Sequence, residues 1–314
     1  MKKLIKKFTQ ITKKDVDIAG GKGASLGEMI QAKIPVPPGF VILAGAFDRF
    51  IKENELEGEI TKHLKEINFD DVNSVTKASA VINDFINDAP IQEDLAKDIL
   101  GDFKKLKTKF VAVRSSATAE DSEIASWAGE LDTFLNTTEK TLLTNVKKCW
   151  ASLFTPRAIF YRQEKGLIDS HVSVAVVIQE MVESEISGIC FTVHPVTEDR
   201  SQMIIEAGYG LGEAIVSGSV TPDSYIIDKT DMSLADINIS EQNKKIIKCL
   251  KEGVKWVNIP KIKADKQKLS GKEIIELAKI CMEIEKHYKK PQDIEWLIKN
   301  NKFYITQSRP ITTL

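Results

Sequence analysis

The spacing of apolar positions changes character several times along the chain, and each change predicts an element. Over residues 271–288, "GKEIIELAKICMEIEKHY", the side chains Ile274, Ile275, Leu277, Ala278, Cys281, Met282 and Ile284 recur at helical spacing. They predict an amphipathic helix with one broad apolar face. Short unbroken apolar runs predict buried strands instead. These are "FVILAG" after the proline cluster "PVPPGF", "FVAV" at 110–113 delivering Arg114 to its end, "VSVAVVIQEMV" at 172–182 and "SGICFTV" at 187–193. "MIIEAGYGLGEAIVSG" (203–218) reads as strand, glycine loop and helix, "DSYIID" as a returning strand, and "PQDIEWLIKNNKFYITQSRP" as a β-hairpin.

Other stretches are polar. Residues 46–108 are charged, periodic and broken by Asn/Asp pairs and Ala89-Pro90, the pattern of a helical insert with little chemistry of its own. Residues 139–166 read as one long helix that Pro156 kinks or breaks. Residues 1–20 read as a polar lead-in, and 231–270, Lys-rich and poorly patterned, as a peripheral hairpin or loops. Strands and helices therefore alternate irregularly, with a hairpin among them. That predicts a mixed α/β (α+β) architecture of two lobes rather than one doubly wound sheet. The N-terminal lobe is expected over 1–195, with its helical insert at about 46–108, and the C-terminal lobe over 196–314.

Composition narrows the function classes. A formal charge of −1 predicts no broad attraction to nucleic acid or to an anionic membrane. No apolar run approaches the length of a bilayer span, and no signal peptide is visible. Cys149, Cys190, Cys249 and Cys281 are scattered, without a C-x-x-C pair or a histidine at metal-ligand spacing, so they read as reduced thiols of a cytoplasmic protein. His63, His171, His194 and His287 share no motif, and no Ser-His-Asp or Cys-His constellation stands out.

Four stretches carry candidate chemistry. "GGKGASLGE" places close-spaced glycines before a helix, whose N-terminus offers N–H groups to an anion, and Lys22 adds a cation. It fails the P-loop pattern, and a tight turn with an exposed lysine satisfies the same residues. "RSSATAEDSEIASWAGE" offers Arg114, the hydroxyls of Ser115, Ser116, Thr118, Ser122 and Ser126, and Gly129 for a backbone closing over phosphate, with Thr133 just beyond. In the C-terminal hairpin, Glu295 lies on the face opposite Trp296, while Gln307 and Arg309 share a face. With the two-residue turn Asn300-Asn301, Glu295 and Gln307 would point to opposite sides. With the three-residue loop Asn300-Asn301-Lys302 they would sit directly across from each other. Such an oxygen pair suits Mg²⁺, and Arg309 suits phosphate, although a polar outer face of an edge hairpin accounts for the pattern as well. Gln179 and Glu180 interrupt an apolar strand, where a polar side chain either meets a partner such as a purine edge or points to solvent at the strand end.

Six stretches in order resemble the nucleotide-binding domain of the phosphoenolpyruvate synthase (pyruvate, water dikinase) family, shared with pyruvate phosphate dikinase and rifamycin phosphotransferase. They are "GGKGASLGEM…VPPGFVI", "VAVRSSATAED…SWAGELDTFLN", "SLFTPRAIFYR", "VIQEMV…SGICFTVHP", "EAGYGLGEAIVSG" and "DIEWLI…FYITQSRPI". The resemblance covers essentially the whole chain and implies an ATP-grasp fold, two lobes clamping ATP. It assigns Lys22 and Arg114 to the ATP phosphates, and Gly129, Thr133 and Phe134 to the loop closing over them. It places Gln179 near adenine, makes Glu295 and Gln307 Mg²⁺ ligands, and gives Arg309 a further phosphate contact; Lys22, Arg114 and Arg309 would act in catalysis.

The reaction that the resemblance implies passes the β-phosphoryl group of ATP to a histidine on a separate swivelling domain, releasing AMP and phosphate. The phosphohistidine then serves pyruvate or rifamycin on a third domain. The family's Thr-Ser-His motif is absent from this sequence, so the chain is expected to be an excised domain or a separate subunit that needs both partner domains in trans. The alternatives are the corresponding domain of an antibiotic phosphotransferase and a nucleotide-binding regulator without turnover.

Overall fold

The computed structural model describes residues 3–118 and 132–312. The chain forms two compact units, and the backbone crosses between them more than once. One unit comprises Met1–Glu28 with Pro38–Met181, the other Met29–Pro37 with Val182–Leu314. Each is built on an antiparallel sheet, and the mixed helix-and-sheet class expected from the sequence is what the structure has.

The first unit holds the strands β1 (Ile5–Lys7), β2 (Gly39–Ile42), β3 (Val111–Ala117), β4 (Thr133–Thr137) and β5 (Val174–Glu180), in the order β1-β2-β5-β3-β4. The helix α1 (Val16–Gln31) lies between β1 and β2. The insert supplies α2 (Ala44–Glu53), α3 (Glu57–Lys65), α4 (Val72–Asp88) and α5 (Glu93–Lys105), followed later by α6 (Leu142–Ala151) and α7 (Pro156–Glu164). One face of this sheet is apolar. Phe40, Ile42, Val111, Val113, Val174, Val176 and Ile178 meet the helices around Trp150, which is fully buried with its ring 4.8 Å from that of Phe50. Truncating a core aromatic of this kind costs about 3–5 kcal/mol.

Three expectations change here. The polar lead-in contributes β1 and the buried side chains Phe8 and Ile11, because Gly27 of α1 lets the helix backbone lie directly on Ile11. The strand around "FVAV" does not stop at Arg114. It continues to Ala117 because β5 pairs with it through Ser115 and Ser116 as far as Ala117, so Arg114 sits in mid-strand and only 7% exposed. The long helix expected over 139–166 is two. Thr155 caps the second, its Oγ1 accepting the N–H of Ala158, and Pro156 takes the first turn, where its missing N–H costs nothing.

The second unit carries β6 (Ile186–Phe191), β7 (Gln202–Tyr209), the short α8 (Glu213–Val216), β8 (Asp223–Asp228) and β9 (Ser233–Asn238). A separate hairpin follows, β10 (Lys244–Lys248) with β11 (Val254–Asn258), then α9 (Lys261–Ala264), α10 (Gly271–Tyr288), β12 (Gln292–Lys299) and β13 (Lys302–Pro310). The main sheet runs β13-β12-β6-β7-β8-β9. The helix α10 has the bounds its pattern predicts. Ser270 and Glu273 form a reciprocal capping box at its start, and Ile274, Leu277, Ala278, Cys281 and Ile284 are buried along one side. Cys190, Ile205, Ala207, Tyr225, Ile227, Ile294 and Trp296 form the apolar face of the sheet, all at 0 or 1% exposure. The Lys-rich stretch 231–270 becomes β9, the peripheral β10–β11 hairpin and α9. Among the described residues, no helix is long and apolar enough to cross a membrane.

Candidate nucleotide site

In the first unit, register decides which side chains keep company. Directly opposed residues on neighbouring strands share a face. The rows Gly39–Gln179–Ala112 and Val41–Val177–Arg114–Thr133 therefore put Gln179, Arg114 and Thr133 on the side of the sheet opposite the Trp150 core. Gln179 is 2% exposed and Thr133 is exposed. Phe134 is not brought to that face. It pairs with Val113, packs half-buried on the core cluster and lies under the Lys148 ammonium, 5.5 Å from the ring centre. Gly129, Ser122 and Ser126 lie outside the described residues.

A glycine device brings the backbone on both sides of Lys22 onto the same face, at Ser116. Gly20 interrupts α1 with φ +69° and ψ 170°, a backbone state open essentially to glycine alone. It lies against Ser116, where a Cβ would stand 2.1 Å from Oγ. Ser116 Oγ donates to the Ala19 carbonyl (3.1 Å) and accepts the Gly23 N–H (3.4 Å). Ser115, on the opposite side of the strand, is used differently. Its hydroxyl lies 3.1 Å from the Asp132 carbonyl, 3.3 Å from that of Cys149 and 2.9 Å from Ser152 Oγ, which ties the start of β4 to α6. Both serines, expected as hydroxyls for an anion, are thus buried fasteners. Burial raises the Asp132 carboxyl, with Arg157 acting the other way.

The main sheet of the second unit has one apolar face and one mixed face, on which polar side chains lie among Ile189, Phe191 and Ile204. Glu295 pairs with Gln307 across the β12–β13 ladder, and the row continues through Ile189 to Glu206. Two residues away along the same face, Asp293 pairs with Arg309. The guanidinium donates to Asp293 Oδ2 from Nη2 at 2.7 Å and from Nε at 2.9 Å. Arg309, expected on a phosphate, is therefore anchored by a carboxylate in this structure. Burial pushes the Asp293 carboxyl up, Arg309 pulls it back, and the neighbouring Glu295 pushes it further up. Glu206 is likewise raised, first by burial and then by Asp293.

This donor set has the right chemistry for Mg²⁺. Glu295 and Gln307 supply hard oxygens, and Asp293 and Glu206 add negative potential on the same face. Among the described residues, no group of three or more His, Cys, Asp and Glu side chains converges to hold a metal unaided. A cation here would share its shell with phosphates and water, as Mg²⁺ commonly does.

Reading the sequence missed Asp293 and Glu206. Asp293 was recoverable from the alternation that singled out Glu295, two residues on. Glu206 carries the signal that drew attention to Gln179, a polar residue inside an apolar strand.

Residues 16–314 match the family model described as "Pyruvate phosphate dikinase, AMP/ATP-binding domain". Among curated relatives, the probable phosphoenolpyruvate synthase of Methanocaldococcus jannaschii is 46% identical, over 99% of this chain and 27% of its own length. That of Methanothermobacter thermautotrophicus is 45% identical, over 100% of this chain and 47% of its own. The rifampicin phosphotransferase of Bacillus subtilis is 38% identical, over 100% of this chain and 36% of its own. The chain spans less than half the length of each of these relatives, and in every case nearly all of it is covered. It belongs to the pyruvate phosphate dikinase AMP/ATP-binding domain family.

Proposed function

We propose that this chain is the ATP- and Mg²⁺-binding module of a phosphoenolpyruvate-synthase-like dikinase with an ATP-grasp fold. It would pass the β-phosphoryl group of ATP to a histidine on a separate domain and release AMP and phosphate. The observation that carries this reading is the family membership over residues 16–314. In it, Lys22 and Arg114 neutralise the phosphates, Thr133 adds a hydroxyl beside Arg114, and Gly129 lets backbone approach them. Gln179 reads the adenine edge. Arg309, oriented by Asp293, takes a further phosphate oxygen.

Glu295 and Gln307 would hold Mg²⁺, which supplies neutralisation of the charge on the phosphates when bound. What the protein's own groups contribute is placement: cations and donors fixed before the reaction, where charge develops. The histidine and the substrate-binding domain would come from polypeptide outside this chain, consistent with the greater length of its relatives.

A second acceptor is favoured by one specific observation, the match of the whole chain to a rifampicin phosphotransferase. The deciding experiment supplies histidine-bearing and substrate domains in trans and follows AMP. AMP release dependent on pyruvate supports the dikinase reading, and release dependent on rifampicin supports the antibiotic one. A chain that binds no nucleotide sinks both.

A further inference from the structure

We infer that Ser116 is a positioning residue, which fixes the spacing between Lys22 and Arg114 and so makes the site selective for phosphate. The inference rests on the nucleotide reading above and adds to it a residue with a different task. Arg114 and Ser116 are two apart on β3, so their side chains share a face. Both are buried, at 7% and 0% exposure, and both are held from the other side by β5, through Val177 and Ala175. The strand therefore presents them as one rigid pair.

The Ser116 hydroxyl then grips the glycine turn at two points. It accepts the Gly23 N–H, which belongs to the peptide unit joining Lys22 to Gly23, and it donates to the carbonyl of Ala19. Lys22 is thus bracketed between two backbone anchors, both on one oxygen. Gly20 makes the approach possible, since its φ of +69° and the missing Cβ bring the turn onto Ser116.

The same bonds exclude the simpler role. A serine has one O–H to donate, and Ser116 gives it to Ala19, so it is not a phosphate donor in this arrangement. Its effect on an anion must pass through Lys22 and Arg114.

The test separates positioning from general packing by comparing a ligand with phosphates and one without. In the full chain, Ser116→Ala leaves the Ala19 carbonyl and the Gly23 N–H without their shared partner. We expect the Kd for MgATP to rise about tenfold, and that for adenosine, measured by competition, to change by less than about twofold. Ser116→Cys, close in volume and a weaker bonding partner, should fall between parent and Ser116→Ala, and it carries the test if the alanine variant does not fold. Equal losses for ATP and adenosine would reduce Ser116 to a packing residue and overturn the inference, as would unchanged ATP affinity in both variants. Failure of the parent to bind MgATP is a separate result. It removes the nucleotide reading, and this inference with it.

Discussion

Glu295 stands directly opposite Gln307 although the turn between their strands has only two residues, Asn300 and Asn301. Both asparagines have positive φ (50° and 55°), as a type I′ hairpin turn requires. From that turn the register runs Lys299 to Lys302 and on to Trp296 with Ile305, which would next pair Glu295 with Thr306. A bulge at this point displaces Thr306 and brings Gln307 opposite Glu295 instead. The pairing expected of a three-residue loop is reached by a two-residue turn and one extra residue in the strand.

This geometry makes an unusual expectation for a deletion. Removing Thr306 should leave a regular hairpin in which Gln307 still meets Glu295, Ser308 still meets Ile294 and Arg309 still meets Asp293. The variant loses the Thr306 hydroxyl bond to the Glu295 carbonyl and the local twist of the bulge. We expect it to fold, with a modestly lower melting temperature, and to keep the Mg²⁺ dependence of ATP binding. Loss of that dependence in a folded variant would mean that the bulge itself, beyond register, aims the two side chains.

Glu295→Gln tests the oxygen pair directly. Replacing the carboxylate by an amide keeps the size and one acceptor oxygen but removes the charge a divalent cation needs. The gain in ATP affinity on adding Mg²⁺ should shrink by about tenfold or more, the size of a lost charge-assisted contact. Calorimetry with and without Mg²⁺ reads this in parent and variant. An unchanged gain would take Glu295 out of the metal's shell.

How far these features could be read from sequence depended on whether the information was local. The α10 bounds followed from the period of its apolar stripe, and the Ser270–Glu273 capping box that the structure adds lies within the same segment. Lys22, Arg114 and Gln179 could be marked as chemistry-bearing from their neighbours. The bulge at Thr306 was not visible, since it depends on how β12 pairs on both sides, with β6 as well as β13. The role of Ser116 was hidden for the same reason: its partners Ala19 and Gly23 are more than ninety residues away. A serine two residues from an arginine on one strand reads as an anion ligand until the distant turn that occupies its hydroxyl is known.

The thiols should differ sharply in reactivity. Cys149, Cys190 and Cys281 are buried, and Cys249 is half-buried. Burial pushes the Cys149 thiol up to about 12 and raises that of Cys190 well above its ordinary value, so neither supplies thiolate near neutral pH. With iodoacetamide at pH 8, we expect mass spectrometry to find Cys249 labelled in the native chain and all four thiols labelled in denaturant. Rapid native labelling of Cys149 would contradict the packing of β3 on α6.

Glu206→Gln tests the polar face through its pH dependence. The folded-state carboxyl of Glu206 is raised, first by burial and then by Asp293. Folded chains therefore bind this proton more tightly than unfolded ones, and the associated stability is present at low pH and lost as pH climbs through the raised value. A glutamine has no such proton and suffers no such loss. We expect the variant to melt above the parent at pH 7, the gap to shrink as pH falls towards about 4, near the ordinary glutamate value, and to vanish below it, where the parent carboxyl is neutral in both states. Melting curves from pH 4 to 8 without nucleotide or metal decide it. A gap that is constant across that range would assign the effect to shape or hydrogen bonding. A variant that melts below the parent at pH 7 would mean that the Glu206 carboxylate is stabilised by a cation on that face rather than strained beside Asp293.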